Sequence, residues 1–170
     1  MNTPSPRPIR TIGFIGLGVM GEPMCGHLAR RSGLAVLGCD LNPEPAQRLA
    51  EFGVTAASLE QVAAQADLIL LSLPDGRAMA GVIAALEPHL QAGQCVVDTS
   101  TSSVALTREI GARLEAKGIG FADAPVARTR EAAARGELAI MVGASDEMFA
   151  HVRAILETMG SDVTHCGGIG

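Results

Sequence analysis

The chain has 170 residues, with 13 Lys and Arg against 18 Asp and Glu, and a net charge of −5 at neutral pH. That length buries a core unaided, and 48% hydrophobic against 18% charged residues excludes disorder for the bulk of it. Four Phe with no Tyr or Trp make no stacking platform for nucleic acid, and the acidic balance gives a phosphate backbone no partner.

Residues 1–10 carry Pro4, Pro6 and Pro8 and no apolar run, so they read as a disordered leader and not a signal peptide. Residues 11–170 read as one domain. Thr11 to Ile15 is a strand, followed by a glycine turn and a helix to about Arg31. Leu34 to Asp40 is a second strand, and Asn42-Pro43 starts a helix reaching about Phe52. Gly53 to Ala56 is a short strand, and Ser58 with Gln61 forms a capping box for the next helix. Leu68 to Leu73 is an apolar run suited to a strand buried on both faces. Pro74-Asp75-Gly76 breaks it before a helix from Arg77 to Leu86.

Cys95 to Asp98 is the next strand, then a Ser/Thr loop, then a helix from about Ser103 to Lys117 with Leu106, Ile110 and Leu114 on one face. Strands follow at Ile119 to Ala122 and Leu138 to Val142, then a helix from Asp146 to Met159 capped by Ser145, and a last strand at Asp162 to Cys166. Strands alternating with helices predict an α/β fold of the Rossmann type: a doubly wound, mainly parallel sheet with helices on both faces.

Metal chemistry finds no support. Cys25, Cys39, Cys95 and Cys166 show no C-x-x-C spacing, and His27, His89, His151 and His165 no H-x-x-x-H, so the thiols read as free in a reducing compartment. No apolar run approaches bilayer length, and the expected location is cytoplasmic.

Gly16-Leu17-Gly18-Val19-Met20-Gly21 matches G-x-G-x-x-G between a strand and a helix. Gly16 makes the tight turn, Gly18 lets a pyrophosphate approach the backbone, and Gly21 allows close helix packing. The helix start supplies N–H groups and partial positive charge to the phosphates. Asp40 ends the second strand about 20 residues further on, where a carboxylate accepts from the adenosine ribose hydroxyls. A 2′-phosphate beside it meets like charge, and no Arg follows directly, so NAD is expected and NADP less so. The nearest Arg that could serve NADP is Arg48.

The stretch from Gly13 to Met24, reading GFIGLGVMGEPM, resembles the N-terminal signature of the β-hydroxyacid dehydrogenase family, which includes 3-hydroxyisobutyrate dehydrogenase. Leu73-Pro74, Asp98-Thr99-Ser100-Thr101, Asp123-Ala124-Pro125-Val126 and Gly136 to Gly143 resemble it in the same order, across Ile12 to Gly170. The resemblance implies a cofactor site of Gly16, Leu17, Gly18, Val19, Met20, Gly21, Asp40, Leu73, Pro74 and Thr101, with Thr101 near the nicotinamide; helix capping is the other role open to Thr101. It also implies a substrate site at Ala127, Arg128 and Thr129, where the family usually carries Ser-Gly-Gly. This departure resembles the sulfolactaldehyde reductase branch, and a guanidinium there suits an anionic hydroxyacid or aldehyde. A solvated basic face shared with Arg130 and Arg135 is the plainer reading of Arg128.

The family's catalytic Lys follows a glycine-rich stretch like Gly167 to Gly170. It is therefore expected beyond Gly170, with no catalytic residue in this chain, and the chain alone is expected to be inactive. Lys117 is the only lysine and lies far from that motif. The family's all-helical second domain is likewise absent, and the resemblance implies a homodimer or homotetramer for the full-length enzyme. The alternatives are the N-terminal domain of an imine reductase, which Asp40 and Asp123 to Val126 count against, and a non-catalytic NAD-binding module.

Overall fold

Strands and helices alternate along residues 5–170, the part that the computed structural model describes. The strands are β1 (Thr11–Ile15), β2 (Ala35–Cys39), β3 (Val54–Ala56), β4 (Leu68–Leu71), β5 (Cys95–Asp98), β6 (Gly120–Asp123), β7 (Val126–Ala127), β8 (Leu138–Gly143) and β9 (Gly160–Gly167). Between them lie helices α1 (Gly21–Arg31), α2 (Pro43–Leu49), α3 (Leu59–Gln65), α4 (Gly76–Leu86), α5 (Val104–Glu115), α6 (Arg130–Arg135) and α7 (Asp146–Leu156).

The sheet runs β3-β2-β1-β4-β5-β6, all parallel, and then turns to β8, which is antiparallel to β6 and β7 and parallel to β9. Side-chain alternation builds two cores from it. Ile12, Phe14, Leu68, Leu70 and Val97 pack on α1, α2, α6 and α7, while Ile15, Ile69, Leu71, Val96 and Phe121 pack on α3, α4 and α5. β4 contributes to both, so all four of its side chains are fully buried, each stabilising by about 1.5–3 kcal/mol. The expected doubly wound, Rossmann-type sheet is therefore present. Its strand order reverses between β1 and β4, which opens a crevice at their carboxyl ends.

Short polar side chains start the helices as their sequence suggests. Asn42 accepts from Glu44 N with Pro43 next to it, Ser58 and Gln61 close the capping box, and Ser145 accepts from Met148 N. Several boundaries move, β9 for example starting at Gly160 and α5 ending at Glu115. β4 stops at Leu71 because Leu73 N leaves the ladder for the Ser100 hydroxyl. α2 ends at Leu49 and tightens into a 3-10 turn, Ala50–Phe52, closed by left-handed Gly53. α7 ends at Leu156.

β7 and α6 have no counterpart in the sequence reading; they are two and six residues long. Of the expected leader, residues 1–4 lie outside the described residues. Arg7 pairs with Asp67 at 2.7 Å and donates to Ala66 O, Arg10 N donates to Asp67 Oδ2, and Ile9 packs on the core. Arg7, Ile9 and Arg10 are thus tied to the domain ahead of Thr11.

Candidate cofactor site

The glycine turn sits at the carboxyl end of β1, directly over the point where the strand order reverses. Gly16 has φ +94°, and a Cβ on it would run into the Ser72 carbonyl of the neighbouring strand end. A Cβ on Gly21 would run into the Gly16 carbonyl. Gly18 is different: a Cβ there meets nothing within 4 Å. Two of the glycines are therefore required by the protein's own backbone, and the third faces open space. α1 begins at Gly21 with no side-chain cap; Glu22 N donates to Gly18 O at 2.9 Å, and Pro23 carries no N–H.

Asp40 closes the turn from the other side. Its Oδ2 accepts from Leu17 N at 2.7 Å and its Oδ1 from Asn42 N at 2.8 Å. One carboxylate thus ties the glycine turn to the β2–α2 turn, with acceptor capacity left over, and Asp40 also lines the crevice. Leu17 serves this latch: its N–H is committed to Asp40, and its side chain is 1% exposed, in the core.

A cavity of about 710 Å³ runs from this turn across the crevice. Gly16, Gly18, Val19, Met20, Gly21, Asp40, Leu73 and Pro74, eight of the expected cofactor residues, line it together. The sequence reading missed its apolar wall of Leu41, Leu59, Ala78, Gly81 and Val82, with Cys39 at its base. Leu41 is fully exposed, and Gly81 stands mid-helix with open space where a Cβ would be. An exposed Leu after the acid and a glycine inside a helix were the available signals.

The Leu73-Pro74 loop is held from below by a buried polar relay. Leu73 N donates to Ser100 Oγ at 2.9 Å, and Ser100 N donates to Asp98 Oδ1 at 3.0 Å. Thr99 Oγ1 donates to Leu71 O at 2.7 Å. Asp98, Thr99 and Ser100 are all buried, and burial pushes the Asp98 carboxyl up against the lowering effect of its bonds to Ser100. Thr101 is exposed just beyond the relay. It does not cap α5, since Ser103 accepts from Leu106 N.

Ala127, Arg128 and Thr129 lie apart from this cavity. Arg128 is the only non-glycine with positive φ among the described residues, +87°, at the position where the resembling family has Gly. Its Nη1 donates to Glu137 O at 2.7 Å and to Ser161 Oγ at 3.0 Å, and its Nη2 stands 3.9 Å from Asp162. Thr129 caps α6 through Ala132 N. Lys117 pairs with Glu87 at 2.7 Å, away from the crevice. Among the described residues no three His, Cys, Asp or Glu side chains gather to hold a metal, and no helix is long and apolar enough to cross a membrane.

The residues present fit a dinucleotide: an open backbone approach at Gly18, a helix start for phosphates, a carboxylate for a ribose and an apolar slot for a base. The model of the NAD binding domain of 6-phosphogluconate dehydrogenase matches residues 11–168. Mouse mitochondrial 3-hydroxyisobutyrate dehydrogenase is 35% identical over 163 residues, covering 94% of this chain and 48% of that protein. The structure of Mycobacterium tuberculosis 3-hydroxyisobutyrate dehydrogenase with L-serine superposes with a TM-score of 0.89 at 34% identity, over 95% of this chain and 55% of that one. The imine reductase from Myxococcus stipitatus, in complex with NADP+, superposes at 0.84 with 23% identity over 92% of this chain and 55% of its own, which shows a shared fold. A variant of that reductase is in complex with NAD+. The chain spans about half the length of the curated relatives it matches. It belongs to the family of the NAD binding domain of 6-phosphogluconate dehydrogenase, as the domain it shares with the 3-hydroxyisobutyrate dehydrogenases.

Proposed function

We propose that the chain is the NAD-binding unit of an oxidoreductase that transfers hydride between NAD(H) and a short anionic β-hydroxyacid or its semialdehyde. The observation that carries this reading is the cavity that open Gly18 and the Asp40 carboxylate line together with an apolar wall. The nicotinamide, when bound, supplies or takes the hydride.

The chain's own residues bind and orient. Gly18 and the start of α1 take the pyrophosphate, and Asp40 takes the adenosine ribose. The wall of Leu41, Leu59 and Val82 takes the adenine. Leu73 and Pro74, held by Ser100, direct the remaining half toward Thr101. Asp40 favours NAD, because a 2′-phosphate about 4 Å from it is repelled by roughly 4 kcal/mol at an effective dielectric near 20.

Arg128, in this reading, greets the anionic end of the substrate with the guanidinium edge that Glu137 O and Ser161 Oγ leave unused, drawing Nη2 away from Asp162, 3.9 Å off. A sulfonate or carboxylate fits that edge alike. Ala127 and Thr129 flank it. The proton for the carbinol oxygen comes from a lysine that these residues do not supply, since Lys117 is held by Glu87. Asp123 to Val126 and Asp40 favour this reading over an imine reductase.

Equilibrium titration of the chain with NADH and NADPH tests the cofactor assignment. Saturable NADH binding that free ADP-ribose displaces supports it; no binding of either nucleotide defeats it. For the substrate, a panel of short semialdehydes with and without a sulfonate is assayed on the enzyme that carries this domain. An Arg128→Ala form with unchanged KM for the best anion removes Arg128 from the account.

A further inference from the structure

A second cavity, of about 620 Å³, opens on the far side of the glycine turn, between α1, α2 and α6. It shares Gly18, Val19 and Asp40 with the cofactor slot. Its other charged groups are Glu22, Arg30, Arg48 and Arg130, with Asn42 beside Asp40. Two carboxylates and three guanidiniums therefore stand around one space next to the adenosine ribose position.

These charges are not equally free. Arg48 Nε and Nη2 each donate to one oxygen of Glu22, both at 2.8 Å, the planar fork-to-fork geometry that guanidinium and carboxylate prefer. The hydrogen bonds from Arg48 hold the Glu22 carboxyl below the usual carboxylate range, and Arg130 adds to the effect. Glu44 is a weaker rival, 3.9 Å from Arg48 Nη1 and 71% exposed. Arg30 is stacked over the Phe52 ring at 4.3 Å.

We propose that Glu22 is a second determinant of cofactor preference, acting with Asp40: by holding the Arg48 fork it withholds from a 2′-phosphate the guanidinium that lines the same cavity. This rests on the dinucleotide-binding reading above. A 2′-phosphate beside Asp40 meets the charge of Asp40 directly, and one of the cations lining the same cavity, Arg48, is already matched to Glu22. Neutralising Asp40 alone removes the repulsion and leaves Arg48 engaged. Neutralising both leaves Arg30, Arg48 and Arg130 around the space with no carboxylate in its lining. Arg48 is 55% exposed, so turning its side chain from one anion to another costs little packing.

The test compares NADH and NADPH dissociation constants, read by nucleotide fluorescence, for the unmodified chain, Asp40→Ser, Asp40→Ser with Glu22→Gln, and that pair with Arg48→Met. Circular dichroism melts verify that each is folded. The expected result is a gain in NADPH affinity at the Glu22→Gln step of about 10-fold, the size of one charge-assisted hydrogen bond, and its loss on adding Arg48→Met. An unchanged NADPH affinity at the Glu22→Gln step overturns the proposal, and so does a gain that survives Arg48→Met. If Glu22→Gln fails to fold, Glu22→Ala carries the same comparison. An unmodified chain that binds no NADH refutes the underlying cofactor reading instead, so the two failures are distinct.

Discussion

Replacing each motif glycine by alanine separates the glycines the fold requires from the one the ligand requires. At Gly16 the left-handed backbone alone costs a side chain about 1–3 kcal/mol, and contact with the Ser72 carbonyl adds to it. At Gly21 the new methyl meets the Gly16 carbonyl, which cannot retreat without moving the turn; overpacking of this kind costs about 1–3 kcal/mol or more. At Gly18 nothing lies within 4 Å and φ is not left-handed, so Gly18→Ala stabilises, by up to about 1 kcal/mol through the unfolded chain. The methyl then stands where the pyrophosphate must approach. Losing one or two charge-assisted bonds from backbone N–H groups, at about 1.5–3 kcal/mol each, weakens NADH by about 10-fold or more. Denaturant unfolding gives the stabilities and NADH titration the affinities. Unaltered NADH affinity in Gly18→Ala, or destabilisation there equal to that at Gly16 and Gly21, would refute the reasoning.

Three further outcomes follow from other contacts. Ser100→Ala strands the Leu73 N–H and costs about 1–3 kcal/mol in stability, with weaker NADH binding, while Ser100→Thr keeps the hydroxyl and restores both; equal affinities in the two variants would deny the relay a role. His27, 5% exposed with its ring bonded to Ala134 O, has its pKa lowered by burial, so the unfolded chain takes up the proton first. Stability therefore falls as pH drops below about 6.5 toward the lowered folded value, by up to about 1.4 kcal/mol per pH unit, and melts of His27→Gln over that window have a shallower slope. Gly81→Ala fills open space in α4 and raises stability by about 1 kcal/mol, whereas Gly81→Leu weakens NADH by projecting into the slot; a destabilised Gly81→Ala contradicts the open geometry.

The alternation of apolar runs and helical faces was legible because the central strands β1, β4 and β5 pack on both sides of the parallel part of the sheet, β4 with four fully buried side chains. The glycine turn and Asp40 were legible because their spacing follows from a local strand–turn–helix unit. What escaped depends on partners distant in the chain. β7 has only two residues and exists because β8 pairs with it. α6 is too short for periodicity to declare, and Thr129 caps it. Arg7 and Arg10 look like part of a polar leader until Asp67, far along the chain, captures them. The Ser100–Leu73 bond and the Glu22–Arg48 fork join loops and helices that only the folded sheet brings together. Arg128 reads in sequence as a donor for an anion; its bonds to Glu137 O and Ser161 Oγ emerge only when β7, β8 and β9 are assembled.

The central claim is that the cavity lined by Gly18, Asp40 and the apolar wall beside them holds NAD. The most direct measurement is a titration of the chain with NADH, repeated with Asp40→Asn, which removes the charge and keeps an acceptor for one of the two backbone N–H groups that Asp40 binds. The account predicts saturable binding of one NADH per chain, displaced by ADP-ribose. In Asp40→Asn it predicts weaker NADH and a preference shifted toward NADPH by about 100-fold or more, as expected when roughly 4 kcal/mol of repulsion is largely relieved. An absence of NADH binding by the folded chain, or a preference that Asp40→Asn leaves unmoved, would contradict it.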